Sequence, residues 1–339
     1  MTAPGSLRTD REIRVRAPGK VNLSLRVGAR EPDGYHPLAT VFQAVSLYED
    51  VVARPADELT LTVSGAQADR VPTDDTNLAL LAARLLAART GVEAGVHLHL
   101  HKGVPVAGGM AGGSADAAAA LLACDALWRT GLSREDLTEL AAELGSDVPF
   151  GLAGHTAVGT GRGHLLTPAM VRGEYHWAFA VRDEGLSTAL VFAAFDELIA
   201  GATRLDPDAD RALMQALRAG DAPALGRALH NDLQHAALEL APSLAEPLAV
   251  AEDAGALGVL VSGSGPTVAA LARSRQHAVV IAAALTAAGV ADDVATAVGP
   301  VPGARIVPAG APGGPGGSGG PGGSGGSGGL TLDGLDRTV

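Results

Sequence analysis

The chain has 339 residues, with 25 basic and 37 acidic side chains and a formal net charge of −12. That balance excludes a general binder of nucleic acid or of an anionic membrane, which needs a basic face to release counterions. The single cysteine, Cys124, excludes an internal disulfide and a cysteine zinc cage, and a reducing cytoplasm is the expected compartment.

The basic set is lopsided: 23 arginines stand against two lysines, Lys20 and Lys102. Aromatic residues are few, so the core is expected to be aliphatic and alanine-rich. The first fifteen residues carry charge without an apolar stretch and are not expected to be a secretory signal. No apolar run reaches the ~18 residues of a membrane-spanning helix.

In chain order, IRVRA (13–17) and VNLSLRV (21–27) read as strands, followed by LTLTVSG (59–65) and GVHLHLH (95–101). Helices are expected from Asn77 to Arg89, from Ser114 to Trp128, and from Ser133, where Asp136 completes a capping box. A second set follows: strand HWAFAV (176–181), helices near 188–200, 207–219 and 243–255, the strand pair within LGVLVSGSGPTVAALA (257–272), helix 275–288 and strand 292–298. Helices set between runs of strands favour an α+β design over one doubly wound sheet. The expected division is an N-terminal domain over 1–170 and a C-terminal domain over 171–308. From Gly310 to Gly329 nearly every residue is Gly, Ser or Pro, so 309–339 is expected to be a disordered tail.

The strongest local signal is VPVAGGMAGGSADAAAALL, residues 104–122. Gly108, Gly109, Gly112 and Gly113 precede Ser114 and a run of helix formers. Glycines let backbone N–H groups turn toward an anion, and the helix start adds the positive end of its dipole. The expected product is a phosphate cradle. It is not a P-loop, since no lysine follows the glycines, and G-x-G-x-x-G is absent from 108–113. His97, His99 and His101 alternate with apolar residues and share one face of their strand, a conceivable zinc site. The same pattern marks a half-exposed strand, the reading favoured here because no accompanying carboxylate is apparent.

Pro105 to Ala117 resembles the ATP loop of the GHMP kinases, the superfamily of galactokinase, homoserine kinase and mevalonate kinase. Ala17-Pro18-Gly19-Lys20-Val21-Asn22-Leu23 resembles its N-terminal substrate motif, and Val261-Ser262-Gly263-Ser264-Gly265-Pro266-Thr267 its C-terminal glycine loop. Arg30 to Leu38, Val41-Phe42-Gln43 and Leu144 to Phe150 are similar to one branch of the superfamily. That branch uses ATP to phosphorylate the 2-hydroxyl of a cytidine-diphosphate-linked methylerythritol on the non-mevalonate route to isoprenoids.

The resemblance implies a two-domain GHMP kinase fold, with an N-terminal half like domain 2 of ribosomal protein S5 and a ferredoxin-like C-terminal α/β sandwich. It implies ATP, with Mg²⁺ following from ATP chemistry and its ligands unknown. Asp147 is then the general base and Lys20 the electrostatic stabiliser, matching what phosphoryl transfer requires. For ATP it implies Asn77, Leu78, Lys102, Pro105, Val106, Ala107, Gly108, Gly109, Met110, Ala111, Gly112, Gly113, Ser114 and Ala115. For the cytidyl substrate it implies Asn22, Tyr35, His36, Thr188, Phe192, Gly263, Ser264 and Gly265. Tyr35 and Phe192 offer rings on which a pyrimidine can stack. One departure stands out: Ala115 follows Ser114 where the family often has a second serine. The alternatives are another GHMP small-molecule kinase, such as a homoserine kinase, or a catalytically silent ligand sensor of the same fold. Oligomeric state is not legible in the sequence.

Overall fold

The computed structural model describes residues 12–65, 67–106, 108–199 and 210–308. The chain opens with β1 (Ile13–Val27), β2 (Leu38–Ala56) and β3 (Thr60–Gly65). Helix α1 (Leu78–Thr90), strand β4 (Gly95–Lys102) and helices α2 (Gly112–Trp128), α3 (Arg134–Leu144) and α4 (Val148–Ala153) come next. Strands β5 (Thr156–Gly161), β6 (Leu165–Pro168) and β7 (Tyr175–Val181) lead to α5 (Thr188–Ile199), α6 (Arg211–Ala219) and α7 (Ala222–Ala228). The rest is β8 (His230–Asn231), α8 (Gln234–Leu240), α9 (Ala245–Asp253), β9 (Gly258–Val261), β10 (Val268–Ala272), α10 (Arg275–Ala288), β11 (Asp293–Gly299) and β12 (Arg305–Val307).

Two sheets carry the fold. The first has the order β12-β1-β2-β4-β3, with β5 beside β2, β6 beside β5 and β8 beside β1; the second has the order β11-β7-β10-β9. The two expected N-terminal strands are one, β1. Its register against β2 shifts at Pro18/Gly19, which carries the chain past a residue with no N–H to donate. β2 has no counterpart among the expected elements. Much of it is buried on consecutive residues, so no apolar-polar alternation marks it.

Helices α1, α2 and α4 pack together, α2 lying on β1 and β2. Ala117, Ala118, Ala119 and Ala120 of α2 are all fully buried. Such small side chains allow close approach: a Cβ added at Gly151 of α4 would lie 2.8 Å from the Ala118 Cβ. The second sheet is apolar on both faces with a period of two. Ala178 and Ala180 of β7 join the core under α9 and α10, while Tyr175, Trp177 and Phe179 meet Val21, Leu23, Val41 and Val45 of the first sheet. The C-terminal stretch 171–308 is not confined to the second sheet, because β8 and β12 both pair with β1. Among the described residues no helix is long and apolar enough to cross a membrane.

Candidate active site

The glycine-rich loop leaves β4 and ends at α2. Its last residue, Ala111, is the helix N-cap with φ 60, no side chain caps the helix start, and the first turn holds no acidic residue. The unsatisfied N–H groups and the positive dipole end of α2 therefore stay available to an anion. Gly109 has φ +72, and a Cβ there would fall 2.1 Å from the Ser262 carbonyl oxygen. Glycine alone lets this loop seat against the 262–265 loop, where Ser262 Oγ donates to the Gly109 carbonyl at 3.2 Å.

A cleft of about 390 Å³ opens where these loops meet. Lys20, Asn22, Thr40 and Phe42 from β1 and β2 line it, together with Leu78, Pro105, Gly108, Gly109, Ala111, Gly112, Gly113 and Ser114. Ser146, Asp147, Arg162, Thr188, Phe192, Gly263, Ser264 and Gly265 are further lining residues.

Lys20 lies in this cleft, nearly buried, with Nζ donating to Asn22 Oδ1 at 2.7 Å and to the Gly109 carbonyl at 2.8 Å. Its third direction faces Asp147, whose Oδ2 is 3.8 Å away. Burial lowers the pKa of the ammonium, and the nearby Asp147 charge opposes that shift. Asn22 is held by its own amide, which donates to Thr40 Oγ1 at 2.9 Å. Asp147 occupies the N-cap position of α4 but its side chain caps nothing, which leaves both oxygens to the cleft. One ammonium thus touches the anion loop and faces the only acidic group among the described lining residues.

Several residues expected at the nucleotide do not line the cleft, and Lys102 is the clearest case. Its Nζ is 2.6 Å from Glu49 and in closer contact with Asp116, with the side chain only 2% exposed, so it does not line the cleft. Burial alone would lower its pKa; the two carboxylates together raise it. Burial likewise pushes the Glu49 carboxyl up to about 8 and raises that of Asp116, since one ammonium cannot neutralise two buried carboxylates. The Asn77 side chain accepts from Ala79 N at 2.9 Å and donates to the Pro72 carbonyl at 2.7 Å, capping α1 instead of lining the cleft. Met110 and Ala115 point into the core, and Val106 N donates to Gln67 Oε1 at 2.8 Å. None of these three lines the cleft, and Ala107 lies outside the described residues.

Tyr35 and His36 sit in the loop between β1 and β2, beside the cleft. His36 Nδ1 donates to the Gly28 carbonyl at 2.9 Å, and its ring lies 5.0 Å from that of Phe192. Thr188 and Ser264 hydroxyls meet at 2.8 Å, joining α5 to the C-terminal glycine loop. The three strand histidines interleave with hydroxyls of β3: Thr62 and Ser64 lie 2.8 and 2.9 Å from the two His99 nitrogens. Among the described residues no group of three or more His, Cys, Asp or Glu is arranged to hold a metal.

Known proteins supply the remaining test. The family models described as GHMP kinases N terminal domain and GHMP kinases C terminal match residues 77–157 and 213–291. A 4-diphosphocytidyl-2-C-methyl-D-erythritol kinase of Thermobifida fusca (strain YX) is 57% identical over 315 residues, covering 91% of this chain and all of that protein. One of Streptomyces coelicolor is 56% identical over 296 residues, 87% of this chain and 99% of that protein. The chain belongs to the 4-diphosphocytidyl-2-C-methyl-D-erythritol kinase family. A crystal structure of 4-(cytidine 5'-diphospho)-2C-methyl-D-erythritol kinase superposes with a TM-score of 0.67 at 32% identity, covering 84% of this chain and 98% of that one. A homoserine kinase from Cytophaga hutchinsonii, at 20% identity and the same TM-score of 0.67, shares the fold.

As a member of this kinase family the chain is an ATP-dependent small-molecule kinase with the two-domain GHMP architecture. Sequence reasoning missed Thr40, Ser146 and Arg162 in the cleft, and Glu49 and Asp116 beneath the loop. Arg162 had a local signal, a Gly-Arg-Gly tripeptide at 161–163. The others are ordinary residues whose place depends on long-range pairing.

Proposed function

We propose that this kinase transfers the γ-phosphoryl of ATP to the 2-hydroxyl of 4-diphosphocytidyl-2-C-methyl-D-erythritol, a step of the non-mevalonate route to isoprenoid precursors in the cytoplasm. The observation that carries the reading is the pairing of Lys20 with Asp147 in a cleft shared by an open helix N-terminus and the 263–265 loop. Asp147 accepts or orients the proton of the attacking hydroxyl, and the Lys20 ammonium offsets charge on the transferring group. The loop over 105–115 holds the phosphates through backbone N–H groups, with Leu78 beside it. Asn22, Thr188, Phe192 and the 263–265 loop serve the acceptor, and Tyr35 and His36 its pyrimidine end.

Among the oxygen-bearing side chains that line the cleft, Asp147 and Ser114 would suit a Mg²⁺ held mainly by phosphate oxygens and water. When bound, such an ion would offset negative charge on the phosphates. The test is ADP release with the cytidyl substrate, homoserine, mevalonate and galactose offered side by side. Turnover confined to the cytidyl substrate is the expected result. Preference for any other acceptor, or no turnover with all four, overturns the reading.

A further inference from the structure

Arg162 stands at the tip of the β5–β6 hairpin between Gly161 and Gly163, whose φ values of +67° and +96° fold the turn. Its guanidinium carbon is 3.5 Å from the centroid of the Tyr35 ring. Nη2 donates to Asp33 Oδ2 at 3.0 Å. Asp33 in turn accepts from Tyr35 N at 3.0 Å through its other oxygen, so the arginine, the carboxylate and the ring form one closed unit.

Arg162 also lines the cleft, where it and Lys20 are the two cations among the described lining residues. Lys20 is already engaged by Asn22, the Gly109 carbonyl and Asp147. A guanidinium has five N–H donors, and the structure records one of those of Arg162 in a hydrogen bond. A diphosphate-linked acceptor brings two negative charges to the binding surface of a chain whose own net charge is −12. Planar, bidentate recognition of phosphate oxygens is what arginine does better than lysine.

We propose that Arg162 recognises the diphosphate of the acceptor substrate, and that its stacking on Tyr35 couples that recognition to the ring serving the pyrimidine. This assignment rests on the proposed function and names the group that reads the acceptor's charged middle. The Arg162 side chain is half-exposed, so its replacement is compatible with folding.

The test is calorimetric binding of CDP and of cytidine to the full-length wild type, Arg162→Ala and Arg162→Lys, with ATP binding as the control. In Arg162→Ala, CDP affinity is expected to fall roughly 10–100-fold, the size of one or two charge-assisted hydrogen bonds, while cytidine and ATP change by less than about threefold. Arg162→Lys should recover part of the loss. Equal losses for CDP and cytidine would mean that Arg162 only braces Tyr35, and loss of ATP affinity would move it to the donor nucleotide; each overturns the proposal. An unchanged CDP affinity in Arg162→Ala overturns it as well, even where the wild type turns over the cytidyl substrate. Failure of the wild type to bind CDP overturns this assignment and the base-recognition reading together.

Discussion

Two lysines in one chain have opposite surroundings. Lys20 gives its hydrogen bonds to neutral oxygens and faces one carboxylate across 3.8 Å, so burial wins and the ammonium becomes more acidic than usual. A proton held less tightly makes a stronger hydrogen-bond donor, which suits a group set beside developing phosphoryl charge. On the proposed mechanism, Asp147→Asn removes the acceptor of the hydroxyl proton and leaves the loop intact. ADP formation should fall by roughly 10²–10⁴-fold, the usual contribution of a general base, with ATP affinity unchanged in an equilibrium titration. Lys102 pairs with two buried carboxyl groups and does not line the cleft. Lys102→Met leaves the buried Glu49–Asp116 pair without its cation and should cost about 3–5 kcal/mol of unfolding free energy, read from urea denaturation, instead of selectively weakening ATP. Cys124, also buried, has its thiol pushed up to about 12 by desolvation and carries no nucleophilic chemistry.

At the scale of elements, the glycine-rich loop is held from below. Glu49 of β2 accepts from Gly103 N at 3.0 Å where β4 ends, and a Cβ on Gly112 at the start of α2 would come within 2.8 Å of its Oε1. Lys102 then ties Glu49 to Asp116 further along the same helix. The strand end and the helix start that bracket the loop are thus fixed to one ion cluster. A carboxyl raised from the ordinary 4.5 to about 8 keeps its proton in the folded chain where the unfolded chain has lost it, so its contribution to stability is full below about pH 4.5 and disappears as pH rises through about 8. Glu49→Gln does not titrate. The difference in urea midpoint between wild type and Glu49→Gln should therefore shift against the wild type from pH 5 to pH 9. A constant difference over that range would show that Glu49 is ionised throughout. The capping box at Ser133 and Asp136 matched its expectation because it depends only on residues three apart. Strand β2 escaped because burial on both faces erases the alternation that marks a strand.

For the whole molecule, β1 is the common member: it pairs with β2 along its length, with β12 near its start and with β8 near its end. Trp177 Nε1 of the second sheet donates to Gln43 Oε1 of the first at 3.1 Å, and Ser46 Oγ accepts from Val298 N at 2.9 Å. The cleft lies where loops from both sides of this junction meet, Gly109 against Ser262. Among the described residues the last paired one is Val307 of β12. Beyond it the sequence offers little apolar surface to bury, so truncation after Val307 should leave the KM for both substrates and kcat within about twofold of the full chain. A larger loss would assign the Gly-rich extension a role.

The sequence by itself determined the chemistry that is written locally. Glycine spacing over 108–113 specifies an anion loop, the following alanines a helix, and the segments around Lys20, Asp147 and Gly263 a kinase family, because each depends on neighbours within a few positions. Tertiary structure alone decided which groups those residues meet. Lys102 lies next to the loop in sequence, yet burial between Glu49 and Asp116 keeps it out of the cleft, since a desolvated ammonium takes the carboxylates that register places beside it. Arg162 lies 129 positions from Asp33 and reaches the Tyr35 ring only because β5 pairs with β2 and aims its hairpin at the loop between β1 and β2.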